Sequence, residues 1–193
     1  MASGDYSSVV GGGGANAEEG NEAYSNYSAI LGGQYNNTGD GFTRTVGQYS
    51  TVSGGSNNRA SGDWSTVAGG GGATAAEGNE AYSHYSAILG GYYNDTGDGA
   101  TRTVGQYATV SGGFRSRASG EASNVGGGES NTANNALASV SGGAYNTASG
   151  YAASVSGGAG NTASGSRASV SGGSTRSAAD PYNWAAGGLL EDF

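Results

Sequence analysis

A Gly-Gly pair recurs along this chain in strict register, and that one feature limits what the chain can become. The second glycine of each pair stands at Gly12, Gly33, Gly55, Gly70, Gly91, Gly113, Gly128, Gly143, Gly158 and Gly173, in steps of 21, 22, 15, 21, 22, 15, 15, 15 and 15 residues. The unit is therefore about 15 residues, and some units carry 6 or 7 more. A self-similar period of this size marks a stacked repeat architecture, whose single units cannot bury a core alone.

Three residues before each anchor glycine stands a β-branched aliphatic residue: Val9, Ile30, Val52, Val67, Ile88, Val110, Val125, Val140, Val155 and Val170. Two residues before that is Ser or Ala, as at Ser50, Ser65, Ala108, Ala138, Ala153 and Ala168. This alternation has period 2 and reads as a strand with one face turned inward. Five residues after the anchor comes a second small inward candidate: Ala17, Thr38, Ala60, Ala75, Thr96, Ala118, Ala133, Ala148, Ala163 and Ala178. Each unit reads as two short strands joined by Gly-rich or Asn-rich turns. Stacked in parallel at about 4.8 Å, the Val and Ala columns merge into a thin continuous roll core. The expected fold class is all-β: a parallel β-roll or β-solenoid of about 10 to 11 coils with two short strands per coil.

The outward positions carry a second pattern. Six residues before the anchor lie Tyr6, Tyr27, Tyr49, Trp64, Tyr85 and Tyr107, an aromatic ladder at strand spacing. Val10, Leu31 and Leu89 share its parity. An apolar stripe outside the roll core needs cover, so Tyr6, Tyr27, Leu31, Tyr49, Trp64, Tyr85, Leu89, Tyr107 and Leu137 are assigned to a subunit interface. A ladder that binds a ligand is the rival assignment. Further on, the ladder positions hold Ala122, Leu137, Ala152 and Arg167, and contacts there are expected to be narrower.

Composition excludes several classes. With 41 Gly and few bulky aliphatics the chain has no conventional globular core, while the strict register argues against disorder. The net charge of −8 contains no block of one sign, so nucleic acid is not an expected partner. The count of 0 Cys removes disulfides and thiolate metal sites. No stretch approaches the ~18 apolar residues of a membrane span, so no membrane insertion by this segment is expected. Met1 to Leu31 contain neither a basic n-region nor an apolar h-region, so no signal peptide is expected here.

Residues Ser3 to Ala60 return as Ser61 to Ala118 with 45 of 58 positions identical. The chain accordingly divides into a first long repeat (1–60), a second (61–118), regular coils (119–178) and a C-terminal cap (179–193), all within one continuous solenoid. Inserts are expected near Glu18 to Ser25, Gly39 to Gln48, Glu77 to Ser83 and Gly97 to Gln106. In the cap, Pro181 cannot donate to a ladder, and Tyr182 with Gly188 suggests a degenerate eleventh coil. Trp184, Leu189, Leu190 and Phe193 supply apolar bulk to close the open end.

Candidate chemistry is sparse. His84 is the only histidine, too little to found a metal or nucleophile site. Asp40-Gly41 and Asp98-Gly99 resemble calcium loops, but Gly47 and Gly105 stand where a bidentate Glu belongs. Glu18, Glu19 and Glu22 would suit glycoside cleavage, yet only Glu19 and Glu22 have counterparts, Glu77 and Glu80. No catalytic residue, cofactor or metal is expected. Arg44 and Arg102, each inside Thr-Arg-Thr, and His84 are the candidates for ligand contact from inserts, with Asp40 and Asp98 as the expected partners of the two arginines.

The phrases ASVSGGAYNTASG, ASVSGGAGNTASG and YSTVSGGSNNRASG resemble the head repeats of trimeric autotransporter adhesins, the YadA-like family, over about Ser3 to Gly173. Related repeats occur in phage tail fibres and other trimeric spikes. The resemblance implies a left-handed roll, a homotrimer, and a non-catalytic adhesive or structural fibre segment. Such a segment would present its loops to a host surface protein, matrix or glycan, and its location would be extracellular, on a cell surface or a virus particle. A tail-fibre, spike or capsid-decoration component is the alternative, and a carbohydrate-active enzyme on a β-solenoid is a third.

Overall fold

The structure, a computed structural model, describes residues 1–13 and 20–187. Among the described residues there are 21 strands of two residues each, and helix is confined to one 3₁₀ turn, Ala75–Glu77. Successive strands alternate between two parallel sheets, one of 11 strands and one of 10. The chain is a repeating parallel β-solenoid that winds once per unit. We number its coils 1 to 11 by the inward residue of the first sheet: Val9, Ile30, Val52, Val67, Ile88, Val110, Val125, Val140, Val155, Val170 and Ala185.

Each of these residues pairs with its counterpart one coil on, as Val52 does with Val67 and Val140 with Val155. All are fully or almost fully buried except Val9 and Ala185, at the two ends of the stack, which are partly buried. Facing them across the roll is the second-sheet column Ala23, Thr38, Ala60, Ala81, Thr96, Ala118, Ala133, Ala148, Ala163 and Ala178, also buried. Burying one Val side chain contributes about 1.5–3 kcal/mol, so a coil with a single Val is stable only between neighbours.

This second column corrects the sequence expectation in two coils. Ala17 lies outside the described residues, and Ala75 sits in the 3₁₀ turn; the inward residues of coils 1 and 4 are Ala23 and Ala81. The reason is where the extra residues are placed. Val67 to Ala81 spans 14 residues against 8 from Ile88 to Thr96, and the 6 in excess (14 − 8) loop out before the second strand. Glu22 and Glu80 are therefore strand residues, in Glu22–Ala23 and Glu80–Ala81, and do not belong to inserts. The other insert follows the second strand: Thr38 to Val52 spans 14 residues against 7 from Ala60 to Val67, which places the extra 7 (14 − 7) within 39–48, and likewise within 97–106.

Buried asparagines hold the roll on its polar side. Asn36 donates from Nδ2 to the carbonyls of Gly32 (3.1 Å) and Gly55 (3.0 Å), and its Oδ1 accepts the N–H of Asn58 in the next coil at 2.9 Å. Asn21, Asn58, Asn79, Asn94, Asn131, Asn146 and Asn161 stand in the same column, nearly inaccessible to solvent. Each satisfies backbone groups that the turns would otherwise leave orphaned. Ser116 breaks the column, and its hydroxyl has no partner. The anchor glycine beside this ladder is doubly required: Gly55 has φ of +85°, and a Cβ there would collide with the Gly70 carbonyl of the next coil.

Each coil also turns through a left-handed residue that is usually not glycine. Tyr6, Tyr27, Tyr49, Trp64, Tyr85 and Tyr107 have φ between 54° and 61°, as do Leu137 and Tyr182 in the same column. A left-handed L-residue costs roughly 1–2 kcal/mol. Here the coils compensate one another, since Tyr27 N–H donates to Asp5 O (2.8 Å) and Tyr85 N–H to Asp63 O (2.9 Å).

At the C-terminal end, Trp184 does not plug the roll. It lies in the eleventh first-sheet strand, Trp184–Ala185, with its ring exposed and its indole N–H donating to Ser171 Oγ at 2.7 Å. Gly188, Leu189, Leu190 and Phe193 lie outside the described residues.

Candidate functional site

Two outer faces and two long loops carry side chains able to meet a partner. On the first-sheet face the six rings Tyr6, Tyr27, Tyr49, Trp64, Tyr85 and Tyr107 stack in sequence, with centroids 4.9–5.2 Å apart and interplanar angles of 4–14°. The coil spacing dictates the ring spacing, because each ring occupies the same left-handed turn position. The rings remain at least 44% exposed, as do Val10, Leu31, Leu89 and Leu137. Between ladder and leucines runs a column of small strand residues, Ala29, Thr51, Thr66, Ala87 and Thr109. The face is flat in the middle, aromatic along one edge, and apolar along the other at Val10, Leu31 and Leu89, with Ser53 and Ser111 in the same column.

The loops are pinned by their own polar groups. Asp40 accepts the N–H groups of Phe42 and Thr43, both at 2.8 Å; partial burial opposes ionisation, but these bonds outweigh it and hold the carboxyl below its ordinary value. Asp98 does the same for Thr101 (2.7 Å) and Ala100 (2.9 Å), and the N–H of Thr101 is the main cause of its lowered pKa. Both aspartates are turn residues, so the arginines find other company. Arg44 is exposed and lies 3.9 Å from Asp5. Arg102 folds back, donating from Nε to Ser61 O at 3.0 Å with its guanidinium 5.0 Å from the Tyr82 ring centre. His84 does not project: its Nδ1 accepts the Asp63 N–H at 2.9 Å, the bond that Asn26 Oδ1 takes from Asp5 N–H in the first repeat. His84 N–H donates to Arg102 O at 3.0 Å, so these two are neighbours, while Arg44 belongs to the equivalent loop of the first repeat, where Asn26 N–H donates to its carbonyl at 2.8 Å.

The second-sheet face sets Glu22 and Glu80 among residues that sequence alone does not connect with them. Its outward column reads Glu22, Asn37, Arg59, Glu80, Asp95, Arg117, then Thr132, Thr147, Thr162 and Ser177. Arg59 lies 3.7 Å from Glu80, and Arg117 lies 3.7 Å from Asp95. Each arginine also donates from Nε to a loop glycine, Gly39 at 2.9 Å and Gly97 at 2.8 Å. These four charges floor a groove of about 570 Å³ whose rim includes Tyr35, Asn57, Tyr93 and Arg115. Arg115 stacks near both Tyr93 (5.4 Å) and Phe114 (5.0 Å). Burial pushes the Asp95 carboxyl up to about 7 against the pull of Arg117, and its Oδ1 has no hydrogen-bond partner. At the groove's edge a hydrogen bond from Tyr92 holds the Glu77 carboxyl below its ordinary value.

Among the described residues, no group of three or more His, Cys, Asp and Glu side chains is placed to hold a metal ion. No described helix is long and apolar enough to cross a membrane. No family model matches the chain, and no curated protein matches it.

Proposed function

We propose that this chain is a non-catalytic segment of a trimeric fibre, with a roll like that of YadA-like adhesin heads, which attaches to a surface protein, matrix or glycan. The observation that carries the reading is the six-ring ladder, exposed on a single chain beside Leu31 and Leu89 and across a column of small residues. A continuous apolar stripe of this kind is costly in water, and small central side chains let a second backbone approach closely. Three rods packed on this face would cover the rings and leave the second sheet and the loops outward. Three identical outward faces would then bind by avidity, each site being weak alone.

Light scattering on the purified chain should return about three times its 18.7 kDa mass. A monomeric rod with full β circular dichroism would remove the ladder as an interface. Replacing Tyr49 and Tyr107 together by Ser should dissociate the subunits at concentrations where the single chains keep their fold, since each ring pair is worth only about 0.5–1.5 kcal/mol beyond its buried area.

A further inference from the structure

The groove on the second sheet has the dimensions and chemistry of a ligand site, and it is built by one local irregularity. Left-handed turn residues line this edge of the rod as Tyr35, Asn57, Tyr93 and Arg115, but coil 4 places Gly78 there, with φ of −66°. A Cβ at Gly78 would collide with the Asn57 carbonyl, so the position must stay bare. The missing side chain opens a trough between Tyr35 in coil 2 and Tyr93 in coil 5. Three coil steps separate these rings, about 14 Å along the rod axis at strand spacing.

The floor of this trough runs Arg59, Glu80, Asp95, Arg117, in register across four adjacent strands. Two guanidinium groups enclose two carboxyls, and each cation is set beside its acidic partner at 3.7 Å, so the formal charges of the floor cancel when Asp95 is ionised. It nevertheless presents many donors and acceptors at close spacing. Asp95 Oδ1 has no partner in the free protein, and rotation of the carboxyl would offer that oxygen to an incoming hydroxyl. Aromatic rings from coils 2 and 5 on one wall and a charge-paired, densely polar floor beside them match a molecule with flat C–H faces and rows of hydroxyls.

We propose that this groove binds a neutral oligosaccharide laid along the rod, its terminal sugar rings against Tyr35 and Tyr93 and its hydroxyls on Arg59, Glu80, Asp95 and Arg117. The proposal deepens the attachment reading and rests on it, because it names the ligand class and the place of contact.

The test is an NMR titration of the intact chain with cellohexaose, chitohexaose, a heparin hexasaccharide and a collagen-type triple-helical peptide as probes. A neutral hexasaccharide should shift the resonances of Tyr93, Asp95 and Arg117. Tyr93→Asn, which keeps a side chain suited to the left-handed turn, should weaken that binding at least tenfold with unchanged circular dichroism. Arg117→Gln provides a second variant with the same expected loss. Binding confined to heparin or to the peptide, or equal affinity in Tyr93→Asn and wild type, would overturn the proposal. Surface-coating assays separate the two levels. Wild-type coating that Tyr93→Asn preserves sinks the groove and leaves attachment standing, whereas a wild type that binds no probe and coats no surface overturns both.

Discussion

Coils 1 to 6 and coils 7 to 10 share one interior and have different exteriors. In both stretches the first sheet buries a Val or Ile column, the second an Ala or Thr column, and an Asn ladder ties the turns together, interrupted at Ser116 and ended by Arg176, whose N–H caps Asn161 Oδ1 at 2.8 Å. Outside, the first stretch carries stacked rings, two kinds of loop and a charged strand column. The second carries Ser139, Ser154 and Ser169 on one sheet and Thr132, Thr147 and Thr162 on the other. A solenoid separates these tasks because inward and outward residues alternate along each strand. The surface can therefore change without disturbing the stack, and the coils dense in surface chemistry are the ones to search for binding.

The comparison breaks most visibly if the two interiors are not equivalent. Val52→Asp and Val140→Asp should each cost more than about 4 kcal/mol, since either buries a charge with no partner. Both variants should lose their β circular dichroism, and its retention in either one would mean that the columns are not alike. Asn58→Ala and Asn146→Ala come next. Each orphans one glycine carbonyl, Gly54 or Gly142, and a neighbouring N–H, and takes one of two donors from a second carbonyl, Gly70 or Gly158, at a cost of about 2–3 kcal/mol. Equal falls in melting temperature would confirm one ladder through both stretches, and a fall in only one would divide it.

The smallest effect sharpens the comparison between the long repeats themselves, where Asn37 and Asp95 occupy equivalent strand positions. The folded Asp95 carboxyl titrates near 7, above its ordinary 3.8, so the folded chain binds more protons than the unfolded one between those values. Stability therefore falls as pH rises through this window, being intact below about 4 and lost above 7. The side chain keeps 36% of its exposure, and solvent screening limits the effect to about 1 kcal/mol. Asp95→Asn should thus raise the denaturation midpoint at pH 8 and leave it unchanged at pH 4; an equal effect at both would assign the gain to something other than titration.

The Val column and the aromatic ladder were legible because both keep a constant offset from the Gly-Gly anchor. Where the chain inserts residues after the anchor, that offset misleads: Ala75 has the right type at the right distance, while the buried residue is Ala81. Asn79, two residues before Ala81, was the better marker, as Asn36 is for Thr38 and Asn58 is for Ala60. Read as turn chemistry, the asparagines were passed over, although a buried Asn column registers adjacent coils more strictly than a glycine can. The groove was invisible for the same reason. Arg59, Glu80, Asp95 and Arg117 become neighbours only once the strand Glu80–Ala81 is put in its true place. In the first repeat the matching positions hold Glu22, Asn37 and Arg59, so an uncharged amide stands where Asp95 stands in the second.

The near-identity of the two long repeats has a genetic corollary. Because the sequences of residues 3–60 and 61–118 align with a shift of 58, unequal recombination between their coding segments would delete or duplicate three whole turns of the spiral without a frameshift in any column. Val would still meet Val across the junction, and after a deletion Asn58 would still meet an asparagine, Asn131. The reach of the rod is thereby a quantity that replication errors can alter in increments of about 14 Å, set by the coil spacing, while its cross-section stays constant.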